Sequence, residues 1–483
     1  MMVKNVASII VKKFLVRGYN VNPKAVEMLQ MVENLDEVVD EICRNAAGRF
    51  IITENDVEAA LKSLNNKKIV IPKLEKKKEI EEIKILKDVT GNSLTEGKLE
   101  DFQLYFNSRY EKISRILRSR VSSVPIASLG RFKGENVTVV GMVNSIKETP
   151  RGYYIELEDP TGFINCIASG KLAEIAQTLL GDEVIAVSGT LKDRNIIADR
   201  IIFPDVPVNG NRKIVKDFFI VFISDTHFGS KEFLEDDWNK FVSWLNCETK
   251  GSEIAEMVKY VIVAGDIVDG VGIYPGQEND LKIVNIYEQY EVAAKHFDEI
   301  RKDIKIIMSP GNHDAVRQAE PQPALPKEIR KLFSNNVVHV GNPCYISLDG
   351  VKVLIYHGRS LDDVVSKIPK LNYESPHFAM EELLKRRHLS PMYGGRSPIA
   401  PEKEDYLVIE DIPDVIHCGH VHTYGAGFYR GVLLVNSSTW QNQTEFQRKM
   451  NLNPMPCNVA VYKPGGDLYR IKFYGGSNEI CGS

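Results

Sequence analysis

Hydrophobic and polar positions change their period along this chain, and each change marks a different kind of element. Over residues 1–65 apolar residues return at helical spacing. In MMVKNVASIIVKKFLVRGYN, lysines thread through the apolar positions; this predicts an amphipathic helix and offers no small-residue cleavage site for a signal peptide. Asn22 followed by Pro23 supplies a cap with proline at the first helical position, and Ala25, Met28, Leu29 and Val32 continue one apolar face. Thr53 with Asp56 opens another helix that runs to Leu64. Residues 1–65 therefore read as a helical interaction module, and residues 66–120 as a charged linker and helix. Between Lys67 and Asp88, eight lysines stand against five acids with isoleucines and leucines scattered among them, the pattern of a solvated linker or exposed helix. DFQLYFNSRYEKISRIL then repeats apolar residues at helical spacing through Phe102, Tyr105, Phe106, Tyr110, Ile113 and Leu117, and is expected to pack on the strands that come after it in the chain.

Over residues 121–208 the period shortens. VTVVGMVNSI, YYIELEDPTGFINCIA, DEVIAVSGTL and IIADRIIF are β-rich runs separated by turn signals such as Asp159-Pro160-Thr161-Gly162, and the second run holds two strands. A helical stretch, GKLAEIAQTLL, comes after the third strand. Five strands with a helix after the third is the order of an OB-fold β-barrel, which binds single-stranded nucleic acid or a partner protein. The strands carry too few exposed aromatics to choose between those uses. Past Pro207–Asn211, strands alternate with helical segments from 213 to 483, which predicts an α/β domain with its sheet buried between layers.

Composition narrows the class. A chain of 483 residues exceeds one ordinary core and predicts a multidomain protein. With 43% hydrophobic and 26% charged residues, and no apolar run near the roughly 20 residues of a membrane-spanning helix, a cytoplasmic location without membrane contact is expected. A net charge of −4 gives no global pull toward nucleic acid. The 7 cysteines are dispersed and form no CxxC pair, which argues against a disulfide framework or a zinc ribbon. All 10 histidines lie between His227 and His422, so imidazole chemistry is confined to the C-terminal half.

Five apolar runs in that half end in residues of metal-binding type. FFIVFIS leads into Asp225-Thr226-His227, YVIVAG into Asp266, IKIIMSPG into Asn312-His313-Asp314, VKVLIY into His357-Gly358, and PDVIHCG into His420-Val421-His422. In an open α/β sheet the ligand crevice lies beyond the carboxyl ends of the strands, so the five loops are expected to converge. Carboxylate, carboxamide and imidazole without thiolate suit manganese, iron or zinc in a dinuclear site. Glycines at 265, 311, 358 and 419 let the backbone turn closely there. His417 is expected in the core, and His296, His339, His377 and His388 lack partners at ligand spacing.

DxH, GD, GNHD, HG and GHxH in this order resemble the calcineurin-like metallophosphoesterase superfamily from about Phe218 onward. The resemblance implies a calcineurin-like phosphoesterase domain over 213–483, a two-sheet sandwich flanked by helices, with two divalent ions: manganese first, then magnesium, iron or zinc. It implies that Asp225, His227 and His422 hold one ion, that Asn312, His357 and His420 hold the other, and that Asp266 bridges them. His313 is the implied acid-base group, and the implied reaction is hydrolysis of a phosphate ester. Phosphatases of the superfamily carry arginine in GDxVDRG; this chain reads GDIVDG and GNHD, which favours a phosphodiesterase or nuclease.

A helical module and OB-fold ahead of such a domain resemble the small, B-type subunits of replicative DNA polymerases. LLKRRHLSPMYGGRSPIAPEKEDYLVIEDIPDVIHCGHVH and NSSTWQNQTEFQRKMNLNPMPC are similar to the small subunits of archaeal family D polymerases. This implies a 3′ to 5′ proofreading exonuclease within a DNA-directed DNA polymerase. The implied partners are a large catalytic subunit, as heterodimer or higher assembly, DNA with single-stranded or mispaired 3′ ends, and a sliding clamp. Lys385, Arg386, Arg387 and Arg396 are candidate phosphate contacts for the strand, against the alternative of a solvated helix end and loop. Eukaryotic relatives have lost most of the ligands, so a mainly non-catalytic scaffold that docks the large subunit is the alternative. No separate acidic constellation for primer elongation is visible, which assigns synthesis to a partner.

Overall fold

The computed structural model describes residues 2–30, 32, 34–46, 51–64, 82–208, 214–249, 252–475 and 479–482. The chain divides into two compact units, Met1–Ile80 and Glu81–Ser483. In the first, helices α1 (Met2–Leu15), α2 (Pro23–Leu29), α3 (Leu35–Asn45) and α4 (Glu54–Leu64) surround a short parallel pair, β1 (Asn20–Val21) and β2 (Ile51–Ile52). Asn22 accepts the Ala25 amide at 2.7 Å ahead of Pro23, and Asp56 accepts the Thr53 amide at 2.9 Å, so both expected caps form. Ile10, Phe14, Val38, Ile42 and Val57 fill the core.

The second unit opens with a departure from the sequence reading. Residues 65–81 lie outside the described residues, but the end of the lysine-rich run is a strand, β3 (Ile83–Asp88), not linker or helix. It pairs antiparallel with β13 (Cys344–Leu348), setting Asp88 opposite Cys344 and Ile83 opposite Leu348. The C-terminal sheet thus draws a strand from well before residue 213. An edge position explains the composition: among the described residues one side of β3 has no neighbouring strand, its lysines reach solvent, and Lys87 pairs with Glu410 at 2.8 Å.

Next come α5 (Leu99–Arg118) and a closed barrel of β4 (Asn136–Thr149), β5 (Gly152–Asp159), β6 (Gly162–Ala168), β7 (Val184–Lys192) and β8 (Asn195–Ile202), with α6 (Lys171–Ala176) after the third strand. The spatial order β4-β5-β6-β8-β7 closes through a parallel β6–β8 pair and leaves no free edge. Val139, Ile155, Leu157, Cys166, Ile185 and Val187 fill it.

The rest is a two-sheet sandwich. Its first sheet contains β9 (Phe219–Ile223), β10 (Val258–Ala264), β11 (Lys305–Ser309) and β12 (Val337–His339), all parallel, with antiparallel β18 (Asn458–Tyr462), β19 (Leu468–Lys472) and β20 (Glu479–Gly482) on the other side of β9. The second has the order β16-β17-β15-β14-β13-β3, where β14 is Val351–Ile355, β15 Val415–Cys418, β16 Tyr424–Tyr429 and β17 Val432–Ser437. Phe222, Ile262 and Ile307 meet Ile346, Val353 and Val435 between the sheets. Helices α7 (Glu235–Leu245) and α9 (Ile286–Asp298) cover the outer face of the first sheet, while α11 (Leu361–Lys367) and α12 (Pro376–Arg386) cover the second. Three short helices, α8 (Glu253–Glu256), α10 (Lys327–Arg330) and α13 (Glu445–Lys449), lie in connections. Continuous apolar runs are what a sheet covered on both faces demands. His417 stands in that interior, its ring edge-on to Phe222 and its Nε2 2.8 Å from Ser437 Oγ, as expected of a core histidine.

Two buried arginines join barrel to sandwich. Arg109 on α5 is 0% exposed; it bonds Asp405 Oδ2 at 2.9 Å, the Pro391 carbonyl at 2.6 Å and the Asp182 carbonyl of the barrel at 3.2 Å. His388 Nε2 lies 2.8 Å from the same Asp405 oxygen. Arg386, at the end of α12, pairs with Glu183 at 2.8 Å and donates to the Thr178 carbonyl.

Removing Arg109 strands a buried carboxylate. Arg109→Met is expected to destabilise the chain by about 3–5 kcal/mol, measured by urea unfolding; a cost below about 1 kcal/mol would mean the joint is not held this way. Burial lowers the pKa of His417 to about 3 from an ordinary 6.5, against a small opposing pull from Asp225. Between those values the unfolded chain binds a proton that the folded chain does not, so stability rises with pH across that window and is lost as pH falls through it, by about 1.4 kcal/mol per pH unit. His417→Phe is therefore expected to flatten the acid limb of the stability profile by one proton, and an unchanged slope would refute the assignment.

Candidate metal centre

All five strand-end loops open at one rim of the sandwich. Asp225 and His227 follow β9, Asp266 follows β10, Asn312 and His313 follow β11, His357 follows β14, and His420 and His422 follow β15. Asp225, His227, Asp266, His420 and His422 have φ of 50°, 48°, 50°, 70° and 57°, a left-handed conformation that costs such residues about 1–3 kcal/mol each. Backbone bonds across the rim hold them there: the Asp225 amide donates to the Gly265 carbonyl at 2.9 Å and the His227 amide to the Asp266 carbonyl at 3.1 Å. The His420 amide donates to the Asp225 carboxylate at 2.9 Å.

The side chains form two groups that share one wall. His422 Nε2 is 3.4 Å from Asp225 Oδ1 and 3.0 Å from His227 Nε2. His357 Nε2 is 3.0 Å from Asn312 Oδ1 and 3.2 Å from Asp266 Oδ2, with His420 in the same group. Asp266 Oδ2 also stands 3.9 Å from His227 Nε2, which sets this carboxylate between the groups. The expected ligand set is thus brought together, with oxygen and imidazole donors and no thiol, a set that fits borderline divalent ions. Glycine is required at the floor: a Cβ on Gly311 would lie 2.3 Å from Asp266 Oδ1, and one on Gly419 2.3 Å from Asp225 Oδ2.

Electrostatics point the same way. Burial by itself would raise the Asp266 pKa, but His357, His313 and His227 outweigh it and hold the carboxyl well below its ordinary value. Burial by itself would lower His357; Asp266 and then Asp225 reverse that and raise it to about 10. Asp266 and His357 thus hold each other in their charged forms. His313 differs: burial, only partly opposed by Asp266, lowers it. Its amide donates to Asp266 Oδ1 at 2.8 Å and its Nδ1 donates to the Asp269 carbonyl at 2.7 Å, which leaves Nε2 facing a cavity of about 610 Å³.

Four supporting side chains escaped the sequence reading. Asp269 Oδ1 lies 2.9 Å from His227 Nδ1 and accepts from Gln441 Nε2 at 2.9 Å. Asp362 Oδ2 lies 3.3 Å from His420 Nε2, and Gln447 Nε2 lies 2.9 Å from His422 Nδ1. The Ala264 carbonyl receives His357 Nδ1 at 2.8 Å. Such contacts fix ring orientation around a metal. The only sequence signal was position: Asp269 is the second aspartate of GDIVDG, and the two glutamines sit in the stretch that begins NSSTWQNQ.

Two of the four candidate phosphate contacts are overturned. Arg386 is committed to Glu183 inside the barrel joint, and Arg387 is buried, with Nε donating to the Ile409 carbonyl at 2.6 Å. Lys385 is half-buried, 4.4 Å from the centre of the Phe203 ring. Arg396 is exposed, and its side chain bonds Tyr373 on the cavity wall.

Comparison with known proteins fixes the family. The chain is 61% identical to the DNA polymerase II small subunit of Archaeoglobus fulgidus over 98% of this chain and 100% of that one. The chain belongs to the DNA polymerase II small-subunit family. The small subunit of Methanothermobacter thermautotrophicus is 46% identical over 80% of this chain and 82% of its own. Residues 220–425 match the family of B subunits of DNA polymerases alpha and epsilon, and residues 137–201 match OB-fold nucleic acid binding domains, in accord with the barrel. A solved structure of Vps29 from Entamoeba histolytica aligns with 55% of this chain and 98% of its own at 12% identity and a TM-score of 0.29, too low to bear on the assignment. No described helix is long and apolar enough to cross a membrane.

Gly311→Ala tests the packing of the floor. It is expected to cost about 1–3 kcal/mol by urea unfolding; a neutral result would mean that the loop after β11 yields.

Proposed function

We propose that this small subunit hydrolyses DNA phosphodiester bonds from 3′ ends, as the proofreading exonuclease of a polymerase whose synthetic site lies on a large partner subunit. One observation carries the reading: the candidate ligands Asp225, His227, Asp266, Asn312, His357, His420 and His422 gather at one rim, where His227, Asp266, His420 and His422 line the cavity into which His313 turns Nε2. Two divalent ions, manganese foremost, would polarise the phosphodiester and activate water there. The protein's own part is to orient and to move a proton. Asp269 and Asp362 hold His227 and His420 in place, and the Asp269 carbonyl fixes the tautomer of His313 so that Nε2 serves as the proton-handling atom beside the departing oxygen. A scaffold role, in which the subunit mainly docks its large partner, draws support from the match of residues 220–425 to the B subunits of DNA polymerases alpha and epsilon.

Purified full-length chain supplied with manganese is expected to shorten single-stranded and mispaired 3′ ends. His313→Ala should lower kcat by about 100- to 10 000-fold with manganese affinity, read by calorimetry, little altered, whereas Asp266→Ala should abolish both. Activity that survives in both variants refutes the assignment. A wild-type chain, alone or with its large subunit, that cuts nothing while both variants support normal polymerase assembly would leave the scaffold.

A further inference from the structure

The wall of the same cavity carries an aromatic pair that the ligand chemistry does not use. Tyr274 and Phe446 stack with ring centroids 5.5 Å apart and planes inclined by 26°, and both line the cavity. Each ring is rooted beside the candidate ligands. Tyr274 stands in the loop after Asp269, where Gln277 donates to the Asp269 carbonyl at 2.8 Å and accepts the Ile273 amide at 2.8 Å. Its hydroxyl donates to Asp280 Oδ2 at 2.9 Å. Phe446 lies on α13, whose start is fixed by reciprocal bonds between Thr444 and Gln447, and Gln447 in turn abuts His422. The stack therefore projects from the two segments that brace His227 and His422. Phe446 nonetheless remains 47% exposed, a large ring left open on the wall of the cavity.

The charge of the wall adds a second constraint. Among the described residues, no lysine or arginine lines the cavity; Arg396 reaches Tyr373 without lining it. Asp362 and Glu374 are present, with Asn372, Gln447, Asn451 and Asn453 beside them. Such a wall offers a phosphate backbone little electrostatic attraction. It offers nucleobases both a π-face and hydrogen-bonding amides, and base–aromatic stacking tolerates any sequence. In a duplex the faces of a base are already stacked on its neighbours.

We propose that Tyr274 and Phe446 form a stacking platform for an unpaired nucleobase of the strand entering the cavity, which is gripped by its bases rather than its phosphates. The proposal rests on the nuclease reading and adds to it the side chains that would hold the unpaired end.

The test reads binding, not turnover. A short labelled oligothymidylate and the same strand with abasic sites at its 3′ end, both with nuclease-resistant phosphorothioate linkages, are titrated with the full chain in manganese and followed by anisotropy. The base-bearing strand is expected to bind about tenfold tighter. Phe446→Ala should bring that ratio near one, and Phe446→Trp should preserve it. Equal binding of the two strands by the unaltered chain, or an undiminished ratio in Phe446→Ala, overturns the platform. So does a steep salt dependence with a log–log slope beyond about 4, which would return the grip to phosphates. A chain that discriminates between the strands but cuts no ordinary DNA keeps the platform and loses the nuclease; one that cuts without discriminating does the reverse.

Discussion

Buried negative charge at one rim of the sandwich is the constraint on which the rest depends. Asp225, Asp266 and Asp269 are each at most 2% exposed and lie among imidazoles rather than water. Carboxylates so placed are tolerable only with positive charge within a few ångströms. Histidines supply part of it, and the donor set is suited to divalent ions for the rest. Left-handed backbone at five of these positions is the local cost of aiming the groups inward, offset by the two packed sheets that hold the loop ends.

The same reasoning extends to the joint between barrel and sandwich. Arg109, Asp405 and His388 form one buried set and Arg386 with Glu183 another, and each guanidinium also satisfies carbonyls contributed by different segments. Burial pushes His388 down to about 4, so that Asp405 is matched by Arg109 alone at neutral pH. Apolar contacts accompany these pairs, Val140, Val184 and Ala186 of the barrel packing with Val408 of the sandwich, and the paired charges add direction to that seam.

Much of this was legible in the sequence because burial on both faces forces apolar runs and a rim forces polar residues at their ends. Asp225, Asp266, His357 and the GHVH segment stood out for that reason, and the barrel showed through its period and turns. Pairing between distant segments failed to show. Ile83–Asp88 reads as linker because an edge strand keeps its lysines in water. Arg386 and Arg387 read as surface charge because nothing local reveals that Glu183 and the Ile409 carbonyl await them. Asp269 and Asp362 act through other side chains, and such work leaves no spacing pattern.

The placement of β3 has a practical consequence for anyone dividing this protein into pieces. The barrel sits, in chain order, between two segments of a single sheet. A fragment begun at residue 213 would carry every candidate ligand yet lack its terminal strand, uncovering the amides and carbonyls of β13 along a hydrophobic border. Such a border recruits other chains, so insolubility of a truncated fragment would report a missing neighbour and not a defect in the rim that carries the candidate ligands.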